Sequence, residues 1–296
     1  MKTGFATLHP MVQAVFFLSC LSVTTWIMHP VILVISFAAG LVCIAETEGK
    51  SGLWSSVRTG AGLSCFAAIL NPLFSHGGVT VWGYLPDGNP LTMESLIFGA
   101  AAGLLLFATL NWFRLLSKIM TSDKMIYLFG RLFPRFALLL SMVFSFFGKI
   151  RQHYQEVRAA RQSLLPGMRP LSWIVRIRFS AGMLSSLIQW SLENALDTAD
   201  SMNSRGYGSG KRTFFHLYHL HTEDIVWMLI LIAGNGWIWY AFCNEQIAYS
   251  YYPAVSMEPA SVQALSVFVL FGVLCLLPVV ADGKEYWKWR CLRSKI

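Results

Sequence analysis

The feature that most limits the fold of this chain is a set of long apolar segments separated by short polar ones. Six of them approach or exceed the roughly 17 to 20 residues that an α-helix needs to cross a bilayer. They are Met11–Met28, Val31–Ala45, Val57–Phe74, Leu91–Phe113, Ile225–Phe242 and Val262–Val280. Charged residues make up only 13% of the 296 residues, about half the usual share of a soluble domain. We therefore predict an all-α polytopic membrane protein with about six transmembrane helices.

Basic residues are distributed very unevenly along the chain. Residues 114–223 hold 15 of the 23 Lys and Arg, and the tail 284–295 holds five more. The segments 75–93 and 243–261 hold none. Cytoplasmic loops of membrane proteins are enriched in Lys and Arg. We therefore expect a multi-pass protein of the cell membrane with both termini and residues 114–223 in the cytoplasm. The net charge of +8 then reflects topology and is a poor argument for nucleic-acid binding.

The same distribution divides the chain into three predicted parts. Residues 1–113 form a four-helix membrane part, residues 114–223 a cytoplasmic or interfacial module, and residues 224–296 a two-helix membrane hairpin with a basic tail. Within the module, the apolar segment Phe136–Gly148 is too short to cross a bilayer, so we expect a buried or interfacial helix. Beyond it, Pro166-Gly167 and Pro170 divide a helical, basic stretch into two arms.

The first arm, Lys149–Leu165, is predicted to be a basic helix. One face carries polar side chains at helical spacing, and Arg161 lies beside that face. The face comprises Arg151, Tyr154, Gln155, Arg158 and Gln162. By composition alone, this face is either solvated or lies on anionic lipid headgroups.

The second arm, Trp190–Gly208, is acidic, because Glu193, Asp197 and Asp200 share a face. Gly206 is placed to end the helix in a left-handed turn. Arg205 then lies at the negative end of the helix dipole, which favours a cation. The simplest interpretation is an ordinary capped helix end, but an abrupt end that projects Arg205 also suits insertion into a groove on a partner.

The opposite charges of the two arms suggest that they cross. Our hypothesis places Arg151 or Arg158 of the first arm near the acidic face of the second, at Glu193 or Asp197 with Asp200 beside them. Charge reversal of one partner should then be rescued by reversal of the other.

Several segments resemble one known family. The segment Asp200-Ser-Met-Asn-Ser-Arg-Gly-Tyr-Gly208 is similar to the Ala-Met-x-x-Arg-Gly-Tyr segment of the transmembrane T component of energy-coupling factor (ECF) transporters, and Val157-Arg-Ala-Ala-Arg-Gln162 to its upstream Ala-Gln-x-x-Arg-Gly segment. The other similar segments are Leu8-His9-Pro10, Asn71-Pro72-Leu73-Phe74 with His76-Gly77-Gly78, and Thr121–Gly130 followed by Pro134. The resemblance covers nearly the whole chain and is to the cobalt/nickel CbiQ-like type.

The resemblance implies a non-catalytic scaffold of an ABC-type importer for a vitamin or a metal ion. In that family two coupling helices dock on two ATPase subunits, which bind ATP and Mg²⁺, and the membrane part holds a separate substrate-binding S component. Carried over by motif, the ATPase-docking tripeptides are Ala160-Arg161-Gln162 and Ser204-Arg205-Gly206, and the chain itself needs no cofactor. Gln162 stands where the family has Gly, and it fits a left-handed turn less well than Gly does.

Other functions leave weaker traces. The chain has no GxxxxGK[ST] phosphate loop and no HExxH motif, so neither ATP hydrolysis nor zinc proteolysis is predicted. A self-contained secondary transporter or channel, the main alternative, would need ionisable residues inside the spans or inverted repeats, and an intramembrane hydrolase would need paired His and Glu there. His216, His219 and His221 with Glu223 and Asp224 could gather metal ligands, but a polar interfacial segment is the preferred interpretation, and no metal site is predicted. We expect all six cysteines to be free and buried.

Overall fold

The computed structural model describes residues 4–84, 89–163, 173–210, 218–257 and 261–293. Its regular structure is almost entirely helical. The helices are α1 (Gly4–Thr7), α2 (Pro10–Trp26), α3 (Pro30–Phe74), α4 (Met93–Ile119), α5 (Ser122–Leu132), α6 (Pro134–Ser163), α7 (Trp173–Ser204), α8 (Thr222–Cys243), α9 (Val262–Cys275) and α10 (Leu277–Arg293). Two short antiparallel hairpins pair β1 (Val81–Tyr84) with β2 (Pro90–Thr92), and β3 (Tyr249–Ser250) with β4 (Ser256–Met257).

The chain is an all-α polytopic membrane protein, as the sequence predicts. Within the described ranges, α3, α4 and α8 are long and apolar enough to cross a membrane, and α9 with the start of α10 forms a fourth candidate. That candidate is bent by 46°. The predicted span Val262–Val280 therefore contains a bend. Its physical reason is Pro278, which cannot donate a backbone hydrogen bond and so belongs in the first turn of a new helix. The predicted first span corresponds to α2, a shorter apolar helix.

The helix α3 contains two predicted spans in one 45-residue element that is interrupted at Gly49. Gly49 has φ 70° and ψ −167°, a region that essentially only glycine adopts. Phe37 and Gly60 both lie against the Phe107 ring: the rings of Phe37 and Phe107 are 4.9 Å apart, and a Cβ on Gly60 would come within 1.9 Å of Phe107. Along a straight helix, residues 37 and 60 would be about 35 Å apart. The chain therefore turns back at Gly49, and the two halves of α3 are separate passes.

Small residues allow α4 to pack closely on α3. A Cβ on Gly103 would lie 2.6 Å from the carbonyl oxygen of Ser64, and one on Gly99 would lie 2.8 Å from that of Ala68. The hydroxyl of Ser64 donates a 2.9 Å hydrogen bond to the Gly103 carbonyl. Glycines four residues apart thus bring two backbones together, as in other membrane helix pairs.

Two compact units make up the chain: residues 1–125 with 218–296, and residues 126–217. The first unit joins both predicted membrane parts, because α2 packs on α8, α3 on α9 and α1 on α10. The second unit covers most of the predicted module 114–223. Residues 114–125 and 218–223, at the start and end of that module, fold with the first unit instead, and α4 extends past Phe113 as far as Ile119.

The two loops that lack Lys and Arg meet at one end of the first unit. Phe98 packs against Tyr251 and Tyr252, with ring centroids 5.3 and 5.5 Å apart. A Cβ on Gly77 would lie 3.1 Å from the Tyr252 ring, and the Tyr251 hydroxyl donates to the Met28 carbonyl at 2.8 Å. Both loops therefore lie on one side of the helices, as the predicted topology requires.

The cysteines only partly follow their prediction. All six are free, and Cys20, Cys43 and Cys275 are buried, with the sulfur atoms of Cys20 and Cys275 3.9 Å apart. The remaining three are exposed, so the expectation of burial is wrong for them; they are Cys65, Cys243 and Cys291. Cys65 and Cys243 lie on exposed positions of α3 and α8, which shows that an apolar stretch of sequence does not ensure burial within the chain.

In the second unit, α6 is one continuous helix that contains both the apolar segment Phe136–Gly148 and the first arm. The helix predicted over the apolar segment is therefore present and continues into the first arm. Phe136, Phe144 and Phe147 are exposed in the chain. An apolar helix with this exposure is not buried within its own unit and suits an interface with lipid or a partner.

Candidate docking site on the two arms

The two arms contact each other through an aromatic stack. Trp190 of α7 lies parallel to the ring of Phe146, with centroids 5.8 Å apart, and parallel to His153, 4.4 Å apart. His153 also lies 3.3 Å from the carboxylate of Glu156 one turn along α6. This stack fixes which residues of α6 and α7 stand opposite each other. The stack was not predicted from the sequence, although a lone Trp in a polar arm is a usable signal.

Arg161, the centre of the first predicted docking tripeptide, is turned toward α7. Its guanidinium donates to the Gly182 carbonyl at 2.7 Å and to the Ser186 hydroxyl at 3.1 Å, and it lies 6.0 Å from the centre of the Phe179 ring. A Cβ on Gly182 would be 2.3 Å from the guanidinium. A larger side chain at position 182 would therefore displace the guanidinium from this position. Arg161 connects α6 with α7 in this structure.

The neighbours of Arg161 are differently placed. Ala160 and Gln162 are exposed, whereas Arg161 is half-buried. The helix α6 ends at Ser163. Gln162 is therefore helical and has no positive φ, so it does not form the left-handed turn considered for it. Pro166-Gly167 and Pro170 lie outside the described residues.

Arg205, the centre of the second tripeptide, lies at a sharply terminated and exposed helix end. Gly206 has φ 78°, which confirms the predicted left-handed residue. Its N–H donates to the Asn203 carbonyl, and the N–H of Tyr207 donates to the Met202 carbonyl, both at 3.0 Å. These two bonds form a Schellman motif, which satisfies carbonyls that a helix end otherwise leaves unpaired.

A groove runs along the second arm and ends beside Arg205. Its end is a cavity of about 280 Å³ lined by Lys149, Asp197 and Arg205 with Thr198, Ser201 and Met202. The longer part, about 670 Å³, lies between α6 and α7 and is lined mainly by small or apolar side chains, including Ala195, Ala199 and Met202. Charged groups of both signs thus surround the tip, while the groove behind it is mostly neutral.

The predicted charge crossing is not formed. In the described part of the chain, no ion pair within 4.0 Å joins the basic candidates with the acidic ones. All of them are exposed: Arg151, Arg158, Glu193, Asp197 and Asp200. The stack on Trp190 and the contacts of Arg161 set the pairing of the helices instead. Exposed ion pairs contribute little to stability, so they cannot override that packing.

The described part of the histidine cluster, His219 and His221 with Glu223 and Asp224, does not form a metal site. His216 lies outside the described residues. Among the residues that are described, no group of three His, Cys, Asp or Glu side chains is arranged to hold a metal ion. His221 precedes α8, and its N–H donates to the Asp224 carboxylate at 3.0 Å, so these two residues form a helix cap.

Comparison with known proteins bears on about two thirds of the chain. No family model matches it. The chain is 25% identical over 218 residues to the energy-coupling factor transporter transmembrane protein EcfT of Lactobacillus helveticus (strain DPC 4571). The alignment covers 68% of this chain and 76% of that protein. Over about two thirds of its length, the chain is therefore similar to a transmembrane component of an energy-coupling factor transporter.

Proposed function

We propose that this chain is the membrane scaffold of an ECF-type ABC importer. In this role it transmits ATP-driven movement of two ATPase subunits to a membrane-embedded S component that captures a vitamin or a metal ion. The similarity to EcfT and the all-α polytopic fold support a membrane component of such a transporter. The observation that carries the docking role is the capped, exposed end of α7 with Arg205 at its tip.

A Schellman-capped end is physically suited to docking. Because Gly206 and Tyr207 satisfy the carbonyls of Asn203 and Met202, the helix tip can enter a groove of a partner with fewer unpaired acceptors to bury. The Arg205 guanidinium is planar, permanently charged and carries five N–H donors, which match carboxylates and backbone carbonyls in such a groove. Arg205 serves as an anchor and takes part in no chemistry, because the partner ATPases bind ATP and Mg²⁺.

The continuity of α6 gives the movement a path. One helix contains the first arm and the apolar segment Phe136–Gly148, so displacement at the docked end moves the apolar segment with it. The exposed apolar side chains of that segment suit contact with lipid or with an apolar partner such as an S component. In this proposal residues 114–223 lie in the cytoplasm, where the ATPases are.

Arg161 has a different task in this proposal. It holds α6 against α7 through Gly182 and Ser186, so that the first arm presents the exposed side chains of Ala160 and Gln162 to its ATPase. Arg205 then contributes more to ATPase docking than the exposed side chains of Ala160 and Gln162 do.

Co-purification from detergent tests the proposal. We expect Arg205→Ala to lower the recovery of the ATPases with the tagged chain by about 30-fold, as loss of a desolvated hot-spot arginine costs 2 kcal/mol or more. Arg158→Ala, which removes an exposed arginine of the same unit, is the matched control and should leave recovery unchanged. Wild-type recovery by the double variant Arg161→Ala/Arg205→Ala would refute the docking role.

A further inference from the structure

The chain leaves the first unit after Met125 and re-enters it at Tyr218. Close to each of these points lies a buried charged side chain. Lys124 is 9% exposed and Asp224 is 5% exposed. A buried charge is costly unless it is paired or fully hydrogen-bonded, so the partners of these two side chains reveal what holds the two connections.

Lys124 is bound to the N-terminal segment of the chain. Its ammonium group donates to the Ala6 carbonyl at 2.8 Å, to the Gln13 side-chain oxygen at 2.9 Å and to the Ile119 carbonyl at 3.2 Å. These three acceptors match the three N–H donors of an ammonium group. Burial lowers the pKa of Lys124 from its ordinary value.

Gln13 extends the same network within the N-terminal segment. Its side-chain amide donates to the carbonyls of Phe5 and Leu8, both at 2.9 Å. It is completely buried. Gln13 and Lys124 together therefore occupy three carbonyls at the end of α1 and in the break before α2, those of Phe5, Ala6 and Leu8.

Asp224 is bound to the same segment from the other connection. Its carboxylate accepts the N–H of His9 at 3.2 Å and the N–H of His221 at 3.0 Å. One carboxylate thus joins the N-termini of α2 and α8, where the free N–H groups favour an anion. A third element is tied in by Asp282 of α10, which accepts the N–H of Phe5 at 2.7 Å.

We infer that residues Phe5–Gln13 form a clamp that holds both connections to the second unit, with Lys124 and Asp224 as its positioning residues. This segment presents the Ala6 carbonyl and the Gln13 side-chain oxygen to the cation of one connection and the His9 N–H to the anion of the other. This inference rests on the proposed function for its purpose: movement of the second unit enters the membrane helices through the clamp.

The clamp itself is tested on the purified full-length chain by hydrogen exchange with mass spectrometry. We expect Lys124→Met and Asp224→Asn each to speed exchange in the peptide spanning residues 5–13 about tenfold or more, because its amides become free to open locally. The matched controls are Lys118→Met, which removes a half-exposed lysine at the end of α4, and Glu223→Gln, which removes an exposed carboxylate beside Asp224. Exchange equal to that of the controls would refute the clamp. Asp224→Asn keeps size and one acceptor, so it remains informative if Lys124→Met does not fold.

The transmission role is tested on the complex of the chain with its co-purifying ATPases, with and without AMP-PNP and Mg²⁺. In the wild type, the nucleotide should change exchange in α6 and α7 and also in α2 and α8. In Lys124→Met and Asp224→Asn, the change should persist in α6 and α7 and fall at least severalfold in α2 and α8. An equal change in all variants would refute transmission through the clamp. A wild type that recovers no ATPase would instead refute the proposed function and with it the purpose of the clamp, while the result on the isolated chain would stand.

Discussion

The ends of the two arms carry the same residue, arginine, in opposite environments. Arg161 is half-buried and donates across to α7 at Gly182 and Ser186. Arg205 is exposed beyond a helix that Gly206 terminates in a left-handed turn. This difference shows that a tripeptide centred on arginine does not by itself define a docking residue. What lies opposite the side chain decides whether the guanidinium faces its own chain or a partner.

The largest effect on stability is expected when Arg161 is replaced. We expect Arg161→Ala to destabilise the second unit by about 2 to 3 kcal/mol, because the charged hydrogen bonds to Gly182 and Ser186 are lost. The apparent melting temperature of the detergent-purified chain should fall, and Arg205→Ala should leave it unchanged. If Arg205→Ala lowered it equally, the distinction between the two arm ends would be wrong.

Gly182→Ala sharpens the same point without touching the arginine. Alanine favours a helix interior over glycine by about 1 kcal/mol, so on that ground alone the variant would be more stable. The added methyl, however, would lie 2.3 Å from the guanidinium and displace it. We expect a net loss of about 1 kcal/mol in thermal unfolding. Ser185→Ala, at an exposed position on α7, is the control, and a gain in stability at position 182 would contradict the contact.

Gly206→Ala tests the end of the second arm. A residue with a Cβ at φ 78° costs roughly 1 to 2 kcal/mol, so the last turn of α7 should fray. Hydrogen exchange at the amides of Gly206 and Tyr207, which close the Schellman motif, would report this directly, and ATPase recovery should fall severalfold. Gly210→Ala is the matched control, because Gly210 does not have a positive φ. Equal behaviour of the two variants would show that the cap does not matter.

The smallest effect is expected from the charge crossing that the structure does not form. Arg158→Glu and Glu193→Arg, singly or together, should change stability by less than about 0.5 kcal/mol, as is usual for exposed positions. Thermal unfolding of the single and double variants measures their coupling. A destabilising single reversal that the second reversal rescues would restore the original hypothesis.

Much of the fold follows from local sequence. Apolar segments long enough for a bilayer predict the spanning helices, and α4 and α8 lie close to their predicted ranges. Gly206 was predictable as a helix stop because the left-handed conformation depends on the residue itself. The break between α9 and α10 could also have been predicted, since Pro278 lies inside the predicted span.

The direction of a long side chain was not predictable in the same way. Arg161 was expected to project outward because its sequence neighbours resemble a docking motif, and its contact with Gly182 depends on the pairing of two helices. That pairing is fixed by the contact of Trp190 with Phe146 and His153, and Trp190 lies on another helix, far from these two in the sequence.

Local sequence is enough to predict the membrane character, the helical class and the abrupt end of the second arm, because each depends on residues within a few turns of one another. The tertiary structure alone decided the partner of Arg161 and brought Lys124 and Asp224 to the segment Phe5–Gln13. The contacts of the clamp join residues more than a hundred positions apart in the sequence. Hydrogen bonds over such separations exist only once the helices have packed, and no local periodicity encodes which side chains then meet.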